Sequence, residues 1–216
     1  FFLDSIRNNI NNTDIYVYGY YKLYKKYKES ISSKEKINLE KMKLGVYSGE
    51  KICGYLWNKV FKKEILIQHD LKFNTEIHYS EDLLFVSKYM KYVNSFCINE
   101  HCLYNYRMRK SSVTFNFYNK KNISCLEAID SLIQKNQGNN LITESLIYQY
   151  LKNYYRLKKI IKIEKIKVND EYLAMEKEIL DKKKLKTKMW FWIIKYNKPI
   201  YFIVKKINNH RKGLFE

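Results

Sequence analysis

The chain has 216 residues, 46 % of them hydrophobic, with six glycines and one proline. That balance excludes a disordered chain or a Gly/Pro-rich linker, and the length suits one domain with a real core, or one domain plus a tail. Lys and Arg number 41 against 22 Asp and Glu, a formal net charge of +19, so anionic partners are favoured: nucleic acid, anionic lipid or sugar phosphates.

In chain order, Phe2, Leu3, Ile6 and Ile10 read as the end of a helix over Phe1–Asn11. Asp14–Tyr21 reads as a buried strand, Tyr24–Ser33 as a polar connection and Lys34–Leu44 as a short helix. Tyr55–Phe61 is a strand or helix entry that continues into Lys62–Leu66. Ser80–Tyr92 reads as an amphipathic helix, with Leu84, Phe85, Tyr89 and Met90 at helical spacing and Ser80 as N-cap. Glu81 and Asp82 then sit in the first turn, where the helix dipole favours an ionised carboxylate and predicts a lowered pKa. Ser95–Asn99 and Cys102–Met108 read as two strands around a turn at Glu100-His101. To this point the pattern is α/β.

From Asn116 the pattern turns helical. Ile123, Leu126, Ile129, Leu132 and Ile133 form one stripe; Leu141, Leu146, Ile147, Tyr150, Leu151 and Tyr154 form another. A basic helix through Ile160–Ile166 and a charged one over Asp170–Leu185 follow. A boundary near Phe115 divides residues 1–115 from a helical region, 116–216, whose segment 182–212 is a basic amphipathic tail. From Lys182 to the end there are eleven Lys/Arg and one acid, Glu216. The apolar runs Met189–Ile194 and Pro199–Val204 fall far short of the ~20 residues of a membrane span. Mixed Trp, Lys and aliphatic residues suit a helix lying on an anionic membrane surface. The alternative is a terminal helix docking its aromatic face on this protein or a partner.

The four cysteines, Cys53, Cys97, Cys102 and Cys125, include no Cys-x-x-Cys pair. This argues against a structural zinc site and leaves reduced thiols in a cytosolic setting as the default. No cationic n-region precedes the first apolar segment, so no secretory signal is read there.

Three ordered pieces carry a more specific signal: Trp57-Asn58-Lys59-Val60-Phe61, then Phe73 leading to Glu81-Asp82, then Tyr104-Asn105-Tyr106-Arg107 with Ser112-Val113-Thr114. Their order and spacing resemble the second half of the catalytic domain of inverting family 2 glycosyltransferases with the GT-A fold, of the bacterial type that builds capsule, cell-wall or lipopolysaccharide glycans. The resemblance covers roughly Asp14 to Thr114. It implies transfer of a sugar from a nucleotide-diphosphate sugar to a glycan or lipid-linked acceptor, on the cytoplasmic face of the membrane. It carries the general base to Asp82, with Glu81 orienting the acceptor or supporting Asp82. Arg107, Arg109 and Lys110 would then meet the pyrophosphate, Arg being suited to bidentate phosphate contact. Trp57 would stack on a sugar or base, Asn58 and Lys59 match the family segment, and His101 is a candidate metal ligand.

The resemblance also implies a divalent cation, Mn²⁺ or Mg²⁺, held by an Asp-x-Asp that precedes this half, and this chain contains no Asp-x-Asp. The expectation is therefore a C-terminal portion of a longer enzyme, with the principal metal ligands outside it and no turnover by this portion alone. Two non-enzymatic readings stand beside it: a nucleic-acid-binding module, for which no specific recognition motif is present, and a membrane-surface protein in which the basic tail is the function.

Overall fold

The computed structural model describes Arg7 and residues 13–33, 36–49, 52–112 and 117–196. The expected helix over Phe1–Asn11, Lys34, Val113-Thr114 and the tail beyond residue 196, with Pro199, lie outside these residues apart from Arg7. The chain is mixed α/β and forms two compact units: residues 1–75 with 81–108, and residues 76–80 with 109–216. The division at 108/109 falls seven residues before the Phe115 boundary read from composition.

The first unit is built around strand β1, Ile15–Leu23. Its alternating aromatic and β-branched residues suit a pleated strand covered on both faces. Strand β2, Lys28–Ile31, returns antiparallel along the C-terminal half of β1, pairing Tyr20 with Ile31 and Leu23 with Lys28. It falls inside the expected polar connection. Its charges hide it, because alternate residues of this short strand face solvent. Helix α1, Leu39–Ser48, starts at an Asn38 cap that accepts from Lys41 N, and stops at left-handed Gly49. These two local signals shift it four to five residues from the expected Lys34–Leu44.

Strand β3, Lys59–Phe61, pairs antiparallel with the N-terminal half of β1. Helix α2, Lys63–Gln68, and helix α3, Glu81–Met90, follow. Strand β4, Phe96–Arg107, then runs parallel to β1 along its other edge. β4 is one strand where two were expected. The Glu100-His101 turn residues form a bulge: Tyr18 pairs with Asn99, but Gly19 already pairs with Cys102. The Asn99 side chain closes this bulge by accepting from His101 N. Gly19 is needed opposite, since a Cβ there would meet Glu100 O at 3.0 Å and Cys102 Sγ at 3.0 Å.

Tyr16 and Tyr18 pack with Val60, Cys97 and Leu103. Helix α3 is tied to α1 by a hydrogen bond between the Tyr47 and Ser87 hydroxyls at 2.7 Å. It is tied to the sheet through Tyr89, whose hydroxyl donates to Asp14 O and accepts from Lys62 N. Phe61 meets the edges of Phe85 and Tyr89. This anchoring fixes where the N-terminus of α3, and its two acids, must sit.

In the second unit, a 3₁₀ turn, Lys120–Ile123, leads into α4, Ser124–Lys135, and then α5, Asn140–Ile163. The first expected stripe is buried throughout, from Ile123 to Ile133. In the second, Leu146, Ile147, Tyr150 and Leu151 are buried while Leu141 is exposed. The expected basic helix is the end of α5. The expected charged helix is two short ones, α6, Asp170–Ala174, and α7, Glu176–Asp181. Helix α8, Leu185–Tyr196, packs on α5 through Phe191.

Candidate active site

The best-defined chemistry lies where the loop 52–58 meets the start of α3. Gly54 passes so close to the helix that a Cβ there would come within 3.0 Å of Leu83 Cα. Lys59, the buried cation that follows the loop, is near enough to Asp82 for each charge to act on the other.

Lys59 does not reach solvent. It is 7 % exposed, and its Nζ donates to Ile52 O, Cys53 O and Tyr55 O at 3.0, 2.7 and 2.8 Å and to Asn58 Oδ1 at 2.9 Å. Four oxygen acceptors around a group with three protons suit the ammonium. Burial pulls in the other direction and brings its pKa down to about 7, opposed by the charge of Asp82. Asn58 is wholly buried and donates through Nδ2 to Tyr18 O, while its own carbonyl accepts from Tyr18 N. Asn58 and Lys59, which match the family segment, thus make their side-chain hydrogen bonds within the first unit. Both are turned inward: Asn58 pins the loop to β1 through Tyr18, and Lys59 gathers the loop carbonyls of Ile52, Cys53 and Tyr55 around a buried donor. Cys53, at φ 50°, marks the strain of that turn.

Asp82 is half-buried. Its Oδ1 accepts from Leu83 N at 2.8 Å. The pKa lowering expected from the helix dipole is overturned: burial pushes the Asp82 carboxyl up to about 6, and the neighbouring Glu81 adds to the rise. The Leu83 N–H and the Lys59 charge pull against this without winning. Ser80, expected as N-cap, takes a left-handed φ of 70° instead of extended cap geometry. The result is a carboxylate that stays mostly ionised at neutral pH and is more basic than an ordinary aspartate.

Trp57 sits in an aromatic cluster. Its indole stacks with Tyr55 at 4.9 Å, Tyr104 at 4.7 Å and Tyr106 at 5.0 Å, and Tyr20 meets it edge-on. Tyr55 and Tyr104 are exposed at the rim. Sequence reasoning singled out Trp57 but missed its partners. The Tyr104-x-Tyr106 alternation, which puts both rings on one face of β4, was the available signal.

Arg107, the last residue of β4, is exposed and alternates to the opposite face from Tyr106. Arg109 and Lys110 are exposed and open the second unit, in a turn where Ser112 N donates to Arg109 O. His101 is exposed on the β4 bulge. Among the described residues no group of three or more His, Cys, Asp or Glu side chains could hold a metal ion. A cavity of about 320 Å³ lies elsewhere in the first unit, lined by Thr13, Tyr16, Val60, Phe61, Lys62, Lys63 and Glu64, and includes none of these candidates.

No protein-family model matches the chain, and no curated protein matches it.

Proposed function

We propose that this chain provides the acceptor-activating side of a GT-A-type, inverting glycosyltransferase, moving a sugar from a nucleotide-diphosphate sugar to a glycan or lipid-linked acceptor. The observation that carries the reading is Asp82: a half-buried carboxylate at a helix start, with its pKa raised to about 6. A general base works best when its pKa lies near the working pH. The ordered motifs around Trp57, Glu81-Asp82 and Tyr104–Arg107, and the mixed α/β architecture of the first unit, support it.

In this reading Leu83 N–H holds Asp82 Oδ1, and Oδ2 takes the proton of the acceptor hydroxyl. The hydroxyl oxygen forms its bond to the anomeric carbon as the bond to the diphosphate breaks, and the electron pair leaves with the nucleoside diphosphate. Configuration inverts because attack and departure occur on opposite faces. Glu81 raises the basicity of Asp82 by like-charge repulsion. Lys59 and Asn58 position the loop that carries Trp57. Trp57 and its tyrosines offer flat apolar faces suited to a sugar ring. In this reading Arg107, exposed at the end of β4, meets the pyrophosphate.

The test is sugar transfer by the natural protein carrying this sequence, across a panel of nucleotide sugars and glycan or lipid-linked acceptors, against Asp82→Asn. Transfer in the parent that falls by about 10³-fold or more in the variant, with donor binding kept, supports the reading. An equally active variant removes Asp82 from the chemistry, and a parent inert across the panel counts against the glycosyltransferase reading itself.

A further inference from the structure

Helix α8 leaves an apolar stripe uncovered on the face opposite its docking side. Leu185, Met189, Trp192 and Tyr196 follow one another at spacings of four, three and four, so they share one face. They are 73, 56, 49 and 58 % exposed. Phe191 and Ile194 lie across the helix from them and are buried; Phe191 packs on Tyr148 and Tyr155 of α5 at 5.9 and 5.6 Å. A polar clamp fixes the rotation: Lys195 Nζ donates to Glu176 at 2.6 Å, and the Tyr155 hydroxyl donates to the other oxygen of the same carboxylate. The stripe therefore faces outward because packing holds it there.

Residues 182–196 contain six lysines and no acid. Lys182, Lys188 and Lys195 are paired with Glu144, Glu178, Asp181 and Glu176. Residues 182–216 together carry eleven Lys/Arg against the single acid Glu216, which keeps the excess positive. We propose that this face of α8 docks on an anionic lipid bilayer, with the helix lying in the interface. Trp and Tyr beside Leu and Met match the boundary between head groups and acyl chains, and lysines match anionic head groups. At twelve residues the helix is about 18 Å long, against a ~30 Å hydrocarbon core, so it lies on the bilayer. No helix among the described residues is long and apolar enough to cross a membrane. A second copy would bring the same cation-rich segment against this one. Nucleic acid would leave Leu185 and Met189 without an apolar partner. The inference rests on α8 and the charge of the sequence around it, and stands apart from the glycosyltransferase reading.

The experiment is co-sedimentation of the chain with vesicles of phosphatidylcholine alone, and of phosphatidylcholine with about one third phosphatidylglycerol. The expected result is about tenfold or greater preference for the anionic vesicles, weakening as salt rises. Met189→Glu and Trp192→Glu are each expected to lower partition about tenfold, with far-ultraviolet circular dichroism and melting unchanged because both sites are exposed. Failure of the parent to bind anionic vesicles overturns the proposal, as does equal binding by the Glu variants. A parent that is dimeric by light scattering, becomes monomeric in these variants and does not bind vesicles would assign the face to a second copy. Binding to duplex DNA that these variants weaken, without vesicle binding, would assign it to nucleic acid.

Discussion

Replacing Asp82 with Asn should reveal what the folded state spends on an ionised carboxylate in a half-buried place. The Asp82 pKa rises from the ordinary 3.8 to about 6 on folding. The folded chain therefore binds the Asp82 proton more tightly than the unfolded chain between those values. The stability this contributes is fully present below pH 3.8 and is lost as pH rises through about 6. At about 1.4 kcal/mol per pH unit the difference totals about 3 kcal/mol. Asn cannot ionise, so Asp82→Asn should unfold at nearly the same urea midpoint as the parent near pH 4. It should become more stable than the parent by about 1–3 kcal/mol at pH 7.5, the lower end allowing for the lost attraction to Lys59. Urea titrations followed by circular dichroism at half-unit pH steps supply the curves. Taking the difference between parent and variant cancels carboxylates distant from the site. A flat difference from pH 4 to 7.5, or a parent that gains on the variant as pH rises, would refute the claim that burial outweighs the helix dipole here.

Lys59→Met removes the donor shared by three loop carbonyls and Asn58; an expected loss of about 2–4 kcal/mol in urea unfolding, with a changed Trp57 emission, checks it. Asp14 behaves oppositely to Asp82: burial raises its pKa, but the Asn94 and Ser95 N–H donors and the Lys62 charge win and lower it. Its contribution is present above the ordinary pKa and lost as pH falls through the lowered one, so Asp14→Asn should destabilise at pH 7, by about 1–3 kcal/mol, and little in strong acid. Gly54→Ala puts a Cβ 2.6 Å from Leu83 Cδ1 and 3.0 Å from its Cα, and should cost about 1–3 kcal/mol while displacing the start of α3. Phe191→Ala should cost about 3 kcal/mol or more, or selectively release α8, read as faster amide exchange in α8 than in α5.

Much of this fold is legible from periodicity. The run Asp14–Tyr21 and the stripes at Ile123–Ile133 and Leu146–Leu151 report burial directly, and the structure buries most of them. What the sequence conceals is set by partners distant along the chain. Strand β2 is polar in composition and exists because β1 offers it an edge. Glu100-His101 has turn chemistry, yet the chain continues along β1 because Gly19 makes room for a bulge. At the site, Glu81 and Asp82 are visible as first-turn acids. The sign of the Asp82 shift is not, since dipole and neighbours are local whereas desolvation comes from the loop folded over the helix start. Lys59 and Asn58 look like surface chemistry by residue type, and the carbonyls they serve, those of Ile52, Cys53 and Tyr55 for Lys59 and that of Tyr18 for Asn58, explain why they are inside.

The most direct test of the central claim is the pH dependence of kcat/KM for sugar transfer by the natural protein carrying this sequence. The account predicts an acidic limb with an apparent pKa near 6, set by Asp82 in the free enzyme. That limb should disappear in Asp82→Asn, together with nearly all of the activity, while donor binding is kept. A limb that survives in the variant, or an active parent with no ionisation between about pH 5 and 7, would contradict Asp82 as the base.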